Sequence, residues 1–327
     1  MAALLDMLIL GFVGMGLGMV FADNFADAGR WGFLIGLVIS GIYFSVLNSY
    51  VGSGQTLGKR ILKIRVVDNR GNEVGLDRTL PRFLLLYLPY FLNGQVLPAG
   101  ILLNPIGVGV LSLLVVGMLL SNLYLLVFNR PARVGVHDIA TSTRVVSVPH
   151  QTQTLTSAWK GHIPVVVFLM VIASALPTVM PHFVSGMIDS DQLEDLANLH
   201  LEIEKLNNIK FVSVQDTISS FNDSSTTKSL HAILVVKKSH ISDTKAKEAC
   251  KTILREFPHV LERDWLYISF MHGYDIGIAK HWNHQNSLRI SIARAEPNDI
   301  CSSQPRSLCG EEQLAGNISP SQSCAKS

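Results

Sequence analysis

Four places in this chain carry residues whose types and spacing could do chemistry. Gly52-Ser53-Gly54-Gln55-Thr56-Leu57-Gly58-Lys59-Arg60 has the glycine and lysine content of a phosphate-cradling loop. Such a loop needs four residues between its first glycine and its Gly-Lys pair, then Ser or Thr for magnesium. Here five residues separate Gly52 from Gly58, and Arg60 follows Lys59. Spacing and chemistry both reject a nucleotide site. Asp6 is an acid inside an apolar run. An ionised carboxylate within a membrane span costs about 3 kcal/mol, so it faces protein, water or a partner. Two readings stand for it: a proton or sodium relay or substrate contact, or an interfacial acid at the positive end of its helix. His137-Asp138 is too small a set for a metal, and Asp138 is expected to cap a segment beginning at Ile139. His281-x-x-His284 with His272 lacks the cysteine or carboxylate that would complete a zinc site. We expect no metal and no cofactor. The sequence shows no nucleophile elbow, paired catalytic carboxylates or His-Glu-x-x-His helix, so no enzymatic activity is expected.

The elements that must position these residues are of two kinds. Only 16% of the 327 residues are charged, against roughly 25% in ordinary globular chains. The deficit is local. Residues 1–181 hold 12 Lys/Arg and 7 Asp/Glu, whereas the remainder holds 15 and 18. A spanning helix needs roughly 20 mostly apolar residues. Leu4–Ala22, Trp31–Tyr50, Arg82–Leu103, Ile106–Phe128 and His162–Met180 meet that, the third interrupted by Pro89, Asn93, Gln95 and Pro98. Met1–Leu5 has no basic residue, so the first run reads as a retained helix rather than a signal peptide. Gly11, Gly14, Gly16 and Gly18, with Gly32 and Gly36, would allow close helix contact.

Loop charge orients the helices. The 51–82 and 129–161 loops hold eleven Lys/Arg, and the 22–30 and 104–105 turns hold one. Both basic loops and the N-terminus are expected in the cytoplasm, with residues after the fifth helix outside. Leu62, Ile64 and Val66 alternate with Lys63 and Arg65, as in a half-buried strand. Asp68–Gly71 is a turn cluster, from which Glu73–Leu76 would return to complete a basic hairpin against anionic headgroups. Thr143–Val146 is a second strand candidate, able to pair with the first in a small sheet.

Beyond the fifth helix the composition is that of a soluble α+β domain. Asp191–Leu206 reads as a helix, and Ile209–Val214 and Leu230–Val236 as strands. A helix capped by Ser242 or Asp243 places Ala246, Ala249, Cys250, Ile253, Leu254 and Phe257 on one face. Trp265–Met271, Tyr274–Ala279 and Ser287–Ala293 alternate as antiparallel strands. All four cysteines lie here, where an oxidising compartment permits bridges. Cys301 and Cys309 would close a short loop, with Cys250 simply buried; Cys324 lies in the tail. No basic stripe interleaved with aromatics points to nucleic acid.

Two motifs then carry a resemblance. Gly54-Gln55-Thr56-Leu57-Gly58-Lys59-Arg60, followed by Val66-Val67-Asp68 and Gly71, resembles the core signature of the RDD family of small membrane proteins. Gly135-Val136-His137-Asp138 with Thr143-Arg144-Val145-Val146 resembles its closing segment, and Asp6 corresponds to its intramembrane acid. The family pattern has an arginine about two turns before that acid, and this chain begins five residues before Asp6. The resemblance implies a membrane helical bundle and transport of an unidentified ligand, some members resembling cation/proton exchangers.

The expectation is therefore a membrane α-helical bundle of about five spans, followed by a small α+β domain and a disordered tail. Residues 1–148 are the RDD-like domain, 149–181 a linker and fifth helix, 182–295 the extracytoplasmic domain, and 296–327 the tail. Asp6, His137 and Asp138 are the candidate functional residues, beside the motif residues Gly54, Gln55, Thr56, Gly58, Lys59 and Arg60. The partners expected are the lipid bilayer with anionic headgroups and a protein partner for the external domain. The function is transport of a ligand or ion; the alternative is a membrane-anchored assembly, scaffold or sensory factor.

Overall fold

The structure, a computed structural model, describes residues 1–102, 104–129, 132, 134–148, 159–184, 190–221, 225–237, 241–292 and 301. The chain divides into two units, one of Met1–Met187 with Tyr274–His281, the other of Ile188–Gly273 with Trp282–Ser327.

In the first unit, α1 (Ala2–Ala28) and α2 (Phe33–Asn48) are joined by a 3-10 turn. A short α3 (Leu57–Ile61) leads into β1 (Ile64–Asp68), and α4 (Leu76–Leu92) follows. Next come α5 (Ala99–Leu102), α6 (Pro105–Ser112), a π turn at Leu113–Gly117, and α7 (Met118–Phe128). The unit continues with α8 (Val136–Thr141), β2 (Thr143–Ser147) and α9 (His162–Val184). Among the described residues, Ala2–Trp31, Pro105–Phe128 and His162–Val179 are long and apolar enough to cross a membrane; Phe33–Asn48 is apolar but shorter.

Two expectations change here. The span expected at Arg82–Leu103 is a helix that starts at Leu76 and stops at Leu92. Arg78 and Arg82 read as loop charges, yet Arg82 is 5% exposed and lies in the stripe Thr79, Arg82, Phe83, Tyr87, Phe91 that faces the bundle. The chain leaves the helix through Gly94 at φ +78°. The basic hairpin is also rearranged. Its Asp68–Gly71 turn forms, with the Arg70 and Asn72 amides donating to Asp68 Oδ1. The chain does not return at Glu73–Leu76; instead Tyr50 N–H donates to the Val74 carbonyl. β1 pairs antiparallel with β2, Val66 opposite Val145, so the small sheet joining the two motifs is present. Leu62, the first residue of the expected strand, is instead the C-cap of α3, whose start is capped by the Thr56 hydroxyl, and β1 begins at Ile64.

The glycines do not bring α1 and α2 together. Gly14, Gly18, Gly32 and Gly36 all face the turn Tyr274–His281, which belongs to this unit.

In the second unit, α10 (Ser190–Lys205) precedes β3 (Ile209–Phe221) and β4 (Ser225–Val236). α11 (Asp243–Glu256) then leads to β5 (Trp265–Asp275) and β6 (Lys280–Ser291). The sheet order is β3-β4-β5-β6. β3 and β4 form an antiparallel hairpin, but β4 and β5 run parallel because α11 crosses between them. The antiparallel expectation for Trp265–Met271, Tyr274–Ala279 and Ser287–Ala293 does not include this parallel pair. Of the strand expected at Tyr274–Ala279, only Tyr274 and Asp275 are extended, at the end of β5. Alternate residues Leu230, Ala232, Leu234 and Leu266, Ile268, Phe270 are at most 1% exposed and join Leu199, Ile203, Ala249, Ile253 and Phe257 in one core. On strand positions of the other parity, His231 stacks on Tyr267 at 4.5 Å and Arg289 lies 4.2 Å over Trp265.

Cys301 bonds to Cys250, not to Cys309. Cys250 is fully buried in the core, so the bridge ties the chain after β6 to α11. Cys309, Cys324 and almost all of the expected 296–327 tail lie outside the described residues. A 51-residue separation should make the bridge worth about 2–4 kcal/mol. Cys301→Ser should therefore speed hydrogen exchange in α11 and β4 while leaving α1 and α2 unchanged.

Candidate functional site

A group of buried polar residues of the first unit gathers where α1 begins and α2 ends, around Asp6. Its carboxylate is 0% exposed. Oδ1 accepts from Tyr43 Oη at 2.7 Å and from the Gly58 amide at 2.8 Å, and Oδ2 accepts from Thr56 Oγ1 at 2.7 Å. Thr56 also caps α3, its oxygen accepting from the Lys59 amide at 3.4 Å. Tyr43 Oη accepts from the Leu57 amide in turn. One carboxylate thus joins α1, α2 and the 56–58 turn. Hydrogen bonds to a charged group contribute about 1.5–3 kcal/mol each, enough to offset the burial of the acid.

The motif residues serve this arrangement. Gly54 takes φ +71°, and a Cβ there would meet the Val66 carbonyl at 2.4 Å. Gln55 Nε2 donates to the Ile64 carbonyl, fixing the start of β1. A Cβ on Gly58 would strike the Ala2 carbonyl at 2.4 Å, so only glycine brings this amide to Asp6. Lys59 turns inward and donates to Asn48 Oδ1 at 2.5 Å. Arg60 is exposed.

A second pair lies beside the first. Arg82 of α4 donates through Nη1 to Asp138 of α8 and to Thr143 Oγ1, the latter at 2.6 Å. The Thr143 hydroxyl also meets Thr141 at 2.9 Å. Asp138 does cap, from the third position of a helix that begins at Val136 rather than Ile139: its Oδ2 accepts from the Gly135 amide. His137 Nε2 lies 3.2 Å from the same oxygen. Burial opposes ionisation of Asp138, but the His137 hydrogen bond and the Arg82 charge outweigh it and hold the carboxyl well below the usual range. Among the described residues, no group of three or more His, Cys, Asp or Glu is placed to hold a metal ion.

Residues 1–142 match the model of the RDD family. This segment is an RDD domain. No curated protein and no solved structure matches the chain. Asp6, Thr56, Gly58 and Lys59 of the RDD domain share one hydrogen-bonded cluster, and His137 and Asp138 belong to a second. The other members, Tyr43 and Asn48 in the first and Arg82 and Thr143 in the second, were not evident as site residues in the sequence. Arg82 had a signal, a base recurring at helical spacing within an apolar stripe; Tyr43 had only its hydroxyl inside an apolar run.

The two clusters together hold two acids, Asp6 and Asp138, and two bases, Lys59 and Arg82. Burial is the main cause that lowers Lys59 from its ordinary 10.5 to about 7; the Arg82 charge adds to this, and Asp6 and Asp138 oppose it. The unfolded chain then binds more protons than the folded one between those values, so this group makes stability rise with pH from about 7 to 10.5. Below pH 7 its contribution is flat. Lys59→Met should flatten that rise in thermal melts of the purified protein. Arg82→Ala should cost about 3–5 kcal/mol, because it leaves Asp138 buried without its guanidinium partner, whereas Arg82→Met with Asp138→Leu should recover much of the loss. Melting temperatures of the three proteins in one detergent check this.

Proposed function

We propose that the chain is a five-span inner-membrane protein whose RDD domain is a clamped base for a partner-binding C-terminal domain. The proposed spans are α1, α2, α4, α6 continued through α7, and α9. The N-terminus is cytoplasmic and the C-terminal domain is on the other side. With Arg78 and Arg82 inside α4, nine Lys and Arg remain in the loops 49–75 and 129–161 against Arg30 alone in the intervening short loops, a distribution that supports that orientation. The 16 residues of α2 rise only about 24 Å. The 3-10 turns Gly29–Trp31 and Tyr50–Gly52 at its ends support a crossing by extending it.

One observation carries the anchoring role: the Asp6 carboxylate is taken up by three donors of its own chain. An acid that relays ions or contacts substrate keeps acceptor capacity for them. The cavity of about 990 Å³ between α4 and α7 supports the same reading, since Leu85, Leu86, Met118, Leu123 and Leu126 make its walls mostly apolar. In the second unit, the half-exposed His231, Trp265 and Tyr267 with Arg289 supply aromatic and cationic chemistry suited to a protein partner.

A second reading, ion or solute transport, is favoured by Lys59. An inward ammonium whose proton is lost near neutrality, beside two carboxylates, is suited to proton exchange. The two readings separate in a strain lacking the gene. For the anchor, Asp6→Asn at matched protein level still complements, while a chain ending at residue 187 inserts but does not. If Asp6→Asn abolishes both complementation and ion flux in proteoliposomes while leaving the protein folded, the anchor reading is wrong and transport stands.

A further inference from the structure

α1 presents Gly14-x-x-x-Gly18, and Gly32-x-x-x-Gly36 runs from the N-cap of α2 into its first turns. In membranes such small-residue faces let two helices approach closely. Here the turn between β5 and β6 fills both faces, with main-chain carbonyls at Gly32 and Gly36 and side chains at Gly14 and Gly18. A Cβ on Gly36 would lie 1.9 Å from the Ile276 carbonyl oxygen, and one on Gly32 would lie 2.4 Å from that of Asp275. A Cβ on Gly14 would meet Ala279 Cβ at 2.8 Å, and one on Gly18 would overlap the Tyr274 hydroxyl at 1.8 Å. Four glycines on two helices are thus each occupied by one eight-residue segment, Tyr274–His281.

The turn is built for apolar surroundings. Ile276 is 0% exposed and clusters with Phe25 and Tyr274, whose rings meet edge to face at 5.6 Å. Ile278 reaches the cluster of Leu10, Phe33, Phe83 and Phe91. Backbone groups placed among membrane helices must be satisfied internally. The Ile276 amide donates to the Ala279 carbonyl, and the Gly277 amide donates to Asp275 Oδ1. Gly277 takes φ +78°, and a Cβ there would strike the Phe91 ring at 2.5 Å. Two of the turn's amides are satisfied within it, and its Ile276 and Ile278 side chains pack among apolar residues of the helices.

We infer that Tyr274–His281 is a removable wedge that holds α1 and α2 apart, and that its withdrawal lets their two Gly-x-x-x-Gly faces close on each other. The geometry supplies both states: a segment shaped to the groove, and a groove made of two surfaces suited to each other. Because Asp6 sits on α1 in the same four-residue stripe as Leu10, Gly14 and Gly18, closure moves a helix that carries the Asp6 network. The inference stands whether the RDD domain anchors or transports.

The test uses the full chain in lipid, with Cys309 and Cys324 replaced by serine. Gly14→Cys with Ala279→Cys reports seating. After cleavage at a protease site placed in residues 149–158, the two fragments stay joined only if these cysteines have bonded. Spin labels at the exposed positions Met19 and Val38 report the separation of α1 from α2 by pulsed electron resonance. The unaltered turn should give efficient crosslinking and one long distance. Ile276→Asp, acting from the turn, and Gly36→Ala, acting from the groove in a Cys-free report of distance, should both shorten that distance. Ile276→Asp should also reduce crosslinking several-fold. Size-exclusion profiles and the helical circular dichroism signal identify any variant that fails to fold, and Gly36→Ala is the mild one. Absence of the crosslink in the parent chain overturns seating. Loss of the crosslink on Ile276→Asp with an unchanged Met19–Val38 distance overturns the wedge.

Discussion

A carboxylate cannot be left unsatisfied at the edge of a membrane bundle, and the first unit is arranged around meeting that demand for Asp6. The donors come from places that are far apart in sequence: Tyr43 on α2, and Thr56 and Gly58 in the turn before β1. Recruiting them fixes where α2 ends and how the chain re-enters after it. It also explains why Gly58 has no side chain and why Thr56 is a hydroxyl, since one must admit the acid and the other must both donate to it and cap α3. β1 is then started by Gln55 and Gly54 and finished by pairing with β2. In that sheet β2 starts at Thr143, whose hydroxyl accepts from Arg82 beside Asp138.

Between the two pairs sits Lys59, the group whose charge the surroundings control most closely. Desolvation removes much of its preference for the proton, and its position near two acids and one further base balances the remainder. Arg82 and Asp138 form a buried ion pair, and removing one partner leaves the other's charge poorly compensated, which is the costly event for buried charges.

Much of this was legible in the sequence, for identifiable reasons. Apolar length marked α1, α7 and α9, because a bilayer sets a minimum run. The two motifs marked the residues around Asp6, and strand alternation found β1 and β2. Period-3.6 spacing correctly placed the buried face of α11, including Cys250. What stayed hidden were partners set by tertiary contact. Arg82 looked like a loop cation because its acid lies 56 residues away. The glycines looked like helix–helix contacts, because nothing local reveals that a turn more than 230 residues later fills their groove. Cysteine pairing and the parallel β4–β5 register are likewise long-range facts.

The central claim is that the Asp6 carboxylate binds the 56–58 turn directly. Solid-state magnetic resonance on protein in lipid bilayers, with 13C at Asp6 Cγ and 15N at the Gly58 amide, measures it through the dipolar coupling of that one spin pair. A coupling of the size expected for a hydrogen-bonded carboxylate and amide is the predicted result. A coupling too weak to detect, with the protein folded and the helices in place, would contradict it.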